Sequence, residues 1–172
     1  MKKNLRWLAL PAMLCSMSLV QAEGVYLGLK AGEVDVDLRT FDNATNVGLV
    51  LGYEFFSQPN YTLSIEGEYT DTVSDGEACD VEGLVGCGDW DIQTIAVYGV
   101  GRITLSQNTY LKLKAGLQHE EVEVGGFDDG HNYLTFGAGL GYNINNKLSV
   151  EVEYTMIEED ASFISAGVNY KL

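Results

Sequence analysis

Four carboxylates stand in two nearly identical octapeptides. Leu63–Thr70 reads LSIEGEYT and Leu148–Thr155 reads LSVEVEYT, so Glu66 and Glu68, and again Glu151 and Glu153, lie two residues apart. Paired carboxylates can divide the work of general acid and base, or they can stand as fixed charges that require cationic partners. Few other groups could do chemistry. His119 and His131 are the only histidines. A hydrolytic site would set a histidine against a serine or an acid. His119 adjoins Glu120, but neighbours on a strand point to opposite faces, and the chain has no His-x-Ser motif. Asp128-Asp129-Gly130 has the carboxylates and glycine that suit Ca²⁺, yet its spacing matches no calcium-loop pattern. Cys79 and Cys87 have no histidine or third cysteine close by, which argues against a metal site.

The elements that carry these residues repeat with a period of two. In the octapeptides, Leu63, Ile65, Tyr69, Leu148, Val150, Val152 and Tyr154 share one phase, and Ser64, Ser149 and the four glutamates share the other. The same alternation recurs in Val25–Lys30, Val47–Glu54, Leu111–Gln118, Leu134–Tyr142 and Ile164–Leu172. With a further strand over Trp90–Ile103 these segments amount to about eight strands, enough for a small closed barrel. Alternation within Trp90–Ile103 does not fix which way Tyr98 and Arg102 point. Connections alternate too. Glu33–Thr45, Asp71–Asp89, Glu120–His131 and Ile157–Ala161 read as acidic loops, whereas Phe56–Asn60, Leu105–Asn108 and Asn143–Lys147 read as short turns. No stripe of helical period appears after the first 22 residues.

Met1–Arg6 is cationic, Trp7–Val20 is mostly apolar and short for a spanning helix, and Val20-Gln21-Ala22 presents small residues for cleavage. Residues 1–22 therefore read as a cleaved export signal, and residues 23–172 as one domain of about 150 residues. Loss of Lys2, Lys3 and Arg6 leaves seven basic residues against 25 acids, a formal charge of −18 that disfavours nucleic acid as a partner. Cys15 leaves with the signal. Two cysteines close in sequence in an exported chain are expected to form a disulfide, Cys79 with Cys87.

Such a strand needs a different solvent on each side, and three features decide which lies where. Glycines share the polar phase at positions 28, 48, 52, 116, 137, 139, 141 and 167, as suits the crowded inside of a narrow barrel. Aromatics end the apolar phase: Tyr53, Phe55, Tyr61, Tyr142 and Tyr170 at the short-turn end, with Tyr69, Tyr154 and Trp90 at the long-loop end. Eight strand steps from Tyr61 to Tyr69 span ~20 Å once tilted, close to the ~25 Å apolar band of membrane barrels. Charge on the polar phase balances, with Glu54, Glu66, Glu68, Glu151 and Glu153 against Lys30, Lys112, Lys114, Lys171 and, if its phase agrees, Arg102. That balance suits an enclosed space in which an unpaired charge is costly. Lys112 and Lys114 are the expected partners of the octapeptide glutamates.

The last strand carries the sharpest motif. Ser165-Ala166-Gly167-Val168-Asn169-Tyr170-Lys171-Leu172 resembles the C-terminal assembly signal of the small Gram-negative outer-membrane β-barrels, the OmpA/OmpX-like group, through Gly167, Tyr170 and a large apolar terminus. The family's usual terminal residue is Phe; here it is Leu172. The resemblance covers residues 23–172. It implies an all-β, eight-stranded antiparallel up-and-down transmembrane barrel in the outer membrane, with both termini in the periplasm. It also implies the barrel-assembly machinery as a partner during insertion, with membrane lipid and lipopolysaccharide as surroundings. The expected role is structural or surface-related, with a packed ion-paired lumen and little or no pore activity, no cofactor, and a monomeric state. The acidic segments, in which Arg39 is the only base, are expected to form a solvated cap. Divalent cations are the partners such a cap could hold. Two other readings are a lipid A-modifying enzyme of the outer membrane and a soluble periplasmic lipocalin-like barrel.

Overall fold

The computed structural model describes residues 24–36, 43–79, 87–124, 127–157 and 161–172. Its strands are β1 (Val25–Val36), β2 (Ala44–Gln58), β3 (Tyr61–Ser74), β4 (Gly76–Cys79), β5 (Cys87–Thr104), β6 (Thr109–Val124), β7 (Phe127–Asn143), β8 (Leu148–Met156) and β9 (Ala161–Lys171). All pairings are antiparallel. Strands consecutive in sequence pair, except β3 with β4, and β1 pairs with β9 from Tyr26↔Lys171 to Val36↔Ala161. β3 pairs with β5 from Tyr61↔Ile103 to Asp71↔Gln93, while the four-residue β4 prolongs the β3 side of that ladder outward. The result is a closed eight-stranded up-and-down barrel without helices in the described residues. Closure leaves the barrel wall no unpaired edge, which is what lets a sheet cross hydrocarbon.

The alternation runs apolar outside and polar inside. Leu29, Leu49, Ile65, Val97, Leu117, Leu134 and Val152 are exposed on the outer wall, and Lys30, Glu66, Glu68, Lys112, Lys114, Glu151 and Glu153 are buried within. A water-soluble lipocalin-like barrel would show the opposite order, so that reading is corrected here. β5 acquires its phase from closure. Trp90, Ile92, Thr94, Ala96, Tyr98 and Val100 all face inward, and the Arg102 side chain follows them with 11% of its surface exposed. Two inward glycines are needed for close approach: a Cβ at Gly52 would run into the Tyr26 ring, and one at Gly141 into the Tyr110 ring.

Two sequence expectations are corrected by the ladders. Most of Glu120–His131 is strand rather than loop, with Glu120↔His131, Glu121↔Gly130 and Val124↔Phe127 paired across β6 and β7. β3, β4 and β5 likewise take up much of Asp71–Asp89. Beyond the membrane an antiparallel ladder continues through water, where both faces tolerate charge; the acids there mark solvent rather than irregular backbone. Asp128-Asp129-Gly130 accordingly lies within β7 and not in a turn. The expected export signal, residues 1–22, and the residues around Arg39 lie outside the described residues.

Candidate functional site

The lumen is stacked in layers along the barrel axis, each supplied by residues two apart on several strands. At the short-turn end, β1, β3, β5 and β6 bring Tyr26, Ser64, Arg102 and Tyr110 together. Arg102 donates from Nη2 to Glu66 Oε1 at 2.8 Å and from Nε to Glu151 Oε1 at 3.3 Å. Its Nη1 donates to Tyr26 Oη at 3.1 Å and Ser64 Oγ at 3.2 Å. The guanidinium also lies 4.6 Å from the Tyr26 ring centroid and 5.8 Å from that of Tyr110. Tyr26 Oη donates to Glu66 at 2.5 Å, and Tyr110 Oη to Glu151 at 2.6 Å. Planar donor geometry and stacking both favour arginine over lysine here.

Lys112 occupies the next layer. Its Nζ is 2.9 Å from Glu66 Oε2 and 2.9 Å from Glu151 Oε2, and it also pairs with Glu153. Lys114 Nζ lies 3.2 Å from Glu68 Oε2, 3.0 Å from Glu153 Oε2 and 4.4 Å from the Tyr98 ring centroid. Lys30, from β1, pairs with Glu68 and lies 3.8 Å from Glu153. Four acids (Glu66, Glu68, Glu151 and Glu153) thus meet four bases (Lys30, Arg102, Lys112 and Lys114) in one connected network. It is neutral in sum, and all eight side chains are at most 11% exposed.

Above the charges lies a neutral polar layer. The Thr70 and Thr94 hydroxyls are 2.7 Å apart, Thr72 Oγ1 donates to Asn46 Oδ1 at 2.9 Å, and Tyr98 Oη donates to Gln118 Oε1 at 3.0 Å. Towards the long-loop end the inward phase turns apolar. Val34, Ala44, Trp90, Ile92, Ile157 and Phe163 form a buried cluster there, with Lys30 Nζ 5.0 Å from the Phe163 ring centroid. The opposite end opens into a polar vestibule of about 140 Å³ lined by residues that include Arg102, Tyr110, Asn169 and Lys171.

Glu54 and Lys171 pair with each other at the short-turn rim, apart from the central network, and the Lys171 side chain is 41% exposed. Trp90 is corrected: it is 2% exposed and packs inside the barrel rather than in the outer girdle. It shares parity with Arg102 along one strand, and the register of β5 with β6, which sets Arg102 opposite the buried Lys112, places that parity inside the barrel. Tyr26 and Tyr110 were missed as site residues; each is an aromatic in a polar phase opposite a glycine, which is the signal that could have found them. Outside, Tyr53, Tyr61, Tyr142, Tyr154 and Tyr170 are exposed on the wall, and the Phe56 and Tyr61 rings stack 5.5 Å apart across the first short turn. Tyr69 is half-buried and accepts from Gln93 Nε2 at 2.7 Å. In the last strand, Gly167 faces Lys30 on β1 and Glu151 on β8, and the Leu172 N–H donates to Val25 O at 3.0 Å. Cys79 and Cys87 are direct register partners. His119 points away from the lumen, its Nδ1 3.0 Å from Asn132 Oδ1 and its Nε2 3.6 Å from Glu121. No group of three or more His, Cys, Asp or Glu placed to hold a metal ion occurs among the described residues.

A closed barrel with hydrocarbon outside, charge inside and aromatics at both margins is an integral barrel of the bacterial outer membrane, crossing it many times. The chain belongs to the family described as outer membrane protein beta-barrel domain, whose model matches residues 7–171. Its fold is similar to that of OprG from Pseudomonas aeruginosa, with 13% identity over 88% of this chain and 97% of that one and a TM-score of 0.59. Neisserial surface protein A is similar at 14% identity over 87% and 97% of the two chains, with a TM-score of 0.56. Ail, the attachment invasion locus protein of Yersinia pestis, is similar at 19% identity over 86% and 95%, with a TM-score of 0.54. No protein of curated function matches the sequence.

Proposed function

We propose that this barrel is a non-enzymatic, monomeric surface protein of the outer membrane whose lumen is closed by its own ion pairs and passes little or no steady current. The observation that carries this reading is the neutral four-acid, four-base network across the lumen. Eight strands leave an interior that side chains can fill. A network in which each charge has partners resists displacement, because freeing one member strands another in a poorly hydrated space. The apolar cluster around Trp90 supports the same reading from the long-loop end.

The short-turn end, with both chain termini, faces the periplasm in this reading, and the acidic long-loop end forms a solvated cap at the lipopolysaccharide rim, able to attract divalent cations. Residues 1–22 serve as an export signal, and Gly167, Tyr170 and Leu172 as the signal for barrel assembly; the outward, exposed Tyr170 supports this. Planar-bilayer recording on the purified protein tests the closed lumen. The expected result is no steady conductance above the bare bilayer, and large, long-lived channels would overturn the reading.

A further inference from the structure

We propose that the vestibule at the short-turn end of the lumen is a binding pocket for a small oxyanion, a phosphate or a carboxylate. Its volume of about 140 Å³ has room for an anion of a few heavy atoms and not for a folded partner. Deeper in, the lumen narrows to a gap of about 10 Å³ beside Glu151, Glu153 and Ser165, no larger than one water. The pocket belongs to the mouth rather than to a passage, so it can fill in a barrel that carries no current. Anion titration and bilayer recording can therefore fail independently.

Charge and free donors both favour an anion there. Residues 23–172 carry seven bases against 25 acids, yet Arg102, Lys147 and Lys171 line the vestibule, and Glu54 is its one acid among the described residues. Arg102 is balanced by Glu66 and Glu151, which lie deeper, and Glu54 pairs with Lys171. Lys147 has no carboxylate partner among the described residues. Its ammonium rests 5.6 Å from the Tyr170 ring centroid, an exposed cation–π contact weaker than a charge-assisted hydrogen bond. Asn169 supplies the second half of the site. It stands on β9 opposite Gly28 on β1, and a Cβ at Gly28 would run into Asn169 Oδ1, so the glycine makes way for the amide. Asn169 is 8% exposed, lines the vestibule, and has no hydrogen-bond partner among the described residues. A buried amide without a partner is costly, which leaves its N–H groups to donate into the cavity. Water could satisfy that amide alone; the amide beside an unbalanced ammonium suits an oxyanion. The Thr62 and Thr109 hydroxyls line the same space.

The test is an NMR titration of the refolded barrel in detergent micelles at fixed ionic strength, with sodium phosphate, sodium acetate and, as a neutral probe, glycerol. The Asn169 side-chain amide is expected to shift saturably with phosphate, acetate or both, and not with glycerol. Lys147→Gln should weaken that binding about tenfold, a change of ~1.4 kcal/mol, whereas Lys147→Arg should keep it within about threefold. Asn169→Asp supplies the carboxylate from the chain itself and should abolish binding, read from the Arg102 Nε–H resonance. Heat-modifiable gel mobility shows that each variant has folded, and the Lys147 pair, on a surface turn, carries the test if Asn169→Asp does not fold. No saturable shift with either anion, an equal response to glycerol, a loss of less than about threefold in Lys147→Gln, or binding kept in folded Asn169→Asp would each overturn the proposal.

Discussion

Replacing Lys112 by Met measures how dry the lumen is. Lys112 is 2% exposed, and its ammonium is the partner shared by Glu66, Glu151 and Glu153. Met keeps most of the aliphatic volume and removes only the charge. Arg102 still serves Glu66 and Glu151, and Lys114 still serves Glu153, so the three carboxylates lose one partner each and not all of them. Removing one partner of a buried ion pair costs ~3–5 kcal/mol, whereas an exposed pair is worth only ~0–1 kcal/mol. Lys112→Met is therefore expected to destabilise the barrel by about 3 kcal/mol, towards the low end of the buried range because compensation is partial. The assay is reversible urea unfolding in lipid vesicles, followed by tryptophan fluorescence and by heat-modifiable mobility. Glu153→Gln and the double variant complete a cycle. Glu153→Gln leaves Lys112 with two carboxylates, and a coupling of ~1–3 kcal/mol is expected for residues in direct contact. A Lys112→Met barrel within ~0.5 kcal/mol of wild type would show that the network is bathed in water, and the closed-lumen reasoning would fail with it.

Trp90→Ala removes the largest member of the apolar cluster and should cost ~3–5 kcal/mol, against a much smaller loss for Leu117→Ala on the lipid-facing wall, as read by unfolding midpoints. Gly52→Val drives a side chain into the Tyr26 ring and should destabilise by ~1–3 kcal/mol, with Tyr26→Leu in the same chain restoring part of the loss; no recovery would place the clash elsewhere. Cys79 and Cys87 face each other in register, so the oxidised protein should show no free thiol by mass-tagging. Reduction should cost up to ~2–3 kcal/mol, since the closed loop is short, and quantitative thiol labelling of the native protein would refute the bridge.

The octapeptides illustrate how far local pattern reaches. Because side chains alternate with a period of two, Glu66 and Glu68 had to share a face with Ser64, and Ile65 had to oppose them. The glycines in the same phase indicated which face is enclosed. Loop boundaries were less legible: Glu120, Glu121 and Glu123 look like loop residues by composition, yet they lie in a paired strand because ladders can extend into water. An aromatic at a strand end looks the same in either phase, so Trp90 reads as a girdle residue until the Arg102↔Lys112 register puts the parity it shares with Arg102 inside the barrel. Glu54 and Lys171 belong to the polar phase but sit at the rim, a matter of axial height that periodicity does not carry.

By itself the sequence determined the class of protein. Alternating solvents, terminal aromatics, inward glycines and a balanced charge set follow from one-dimensional order, since each depends on a residue's own phase. The tertiary structure decided the partners. Arg102 with Tyr26, Lys112 with three carboxylates, and the cluster around Trp90 join residues from strands distant in the chain. Those contacts depend on the register between strands and on the β3–β5 and β1–β9 pairings that close the ring. Closure sets the height of every residue relative to every other, which no single strand specifies.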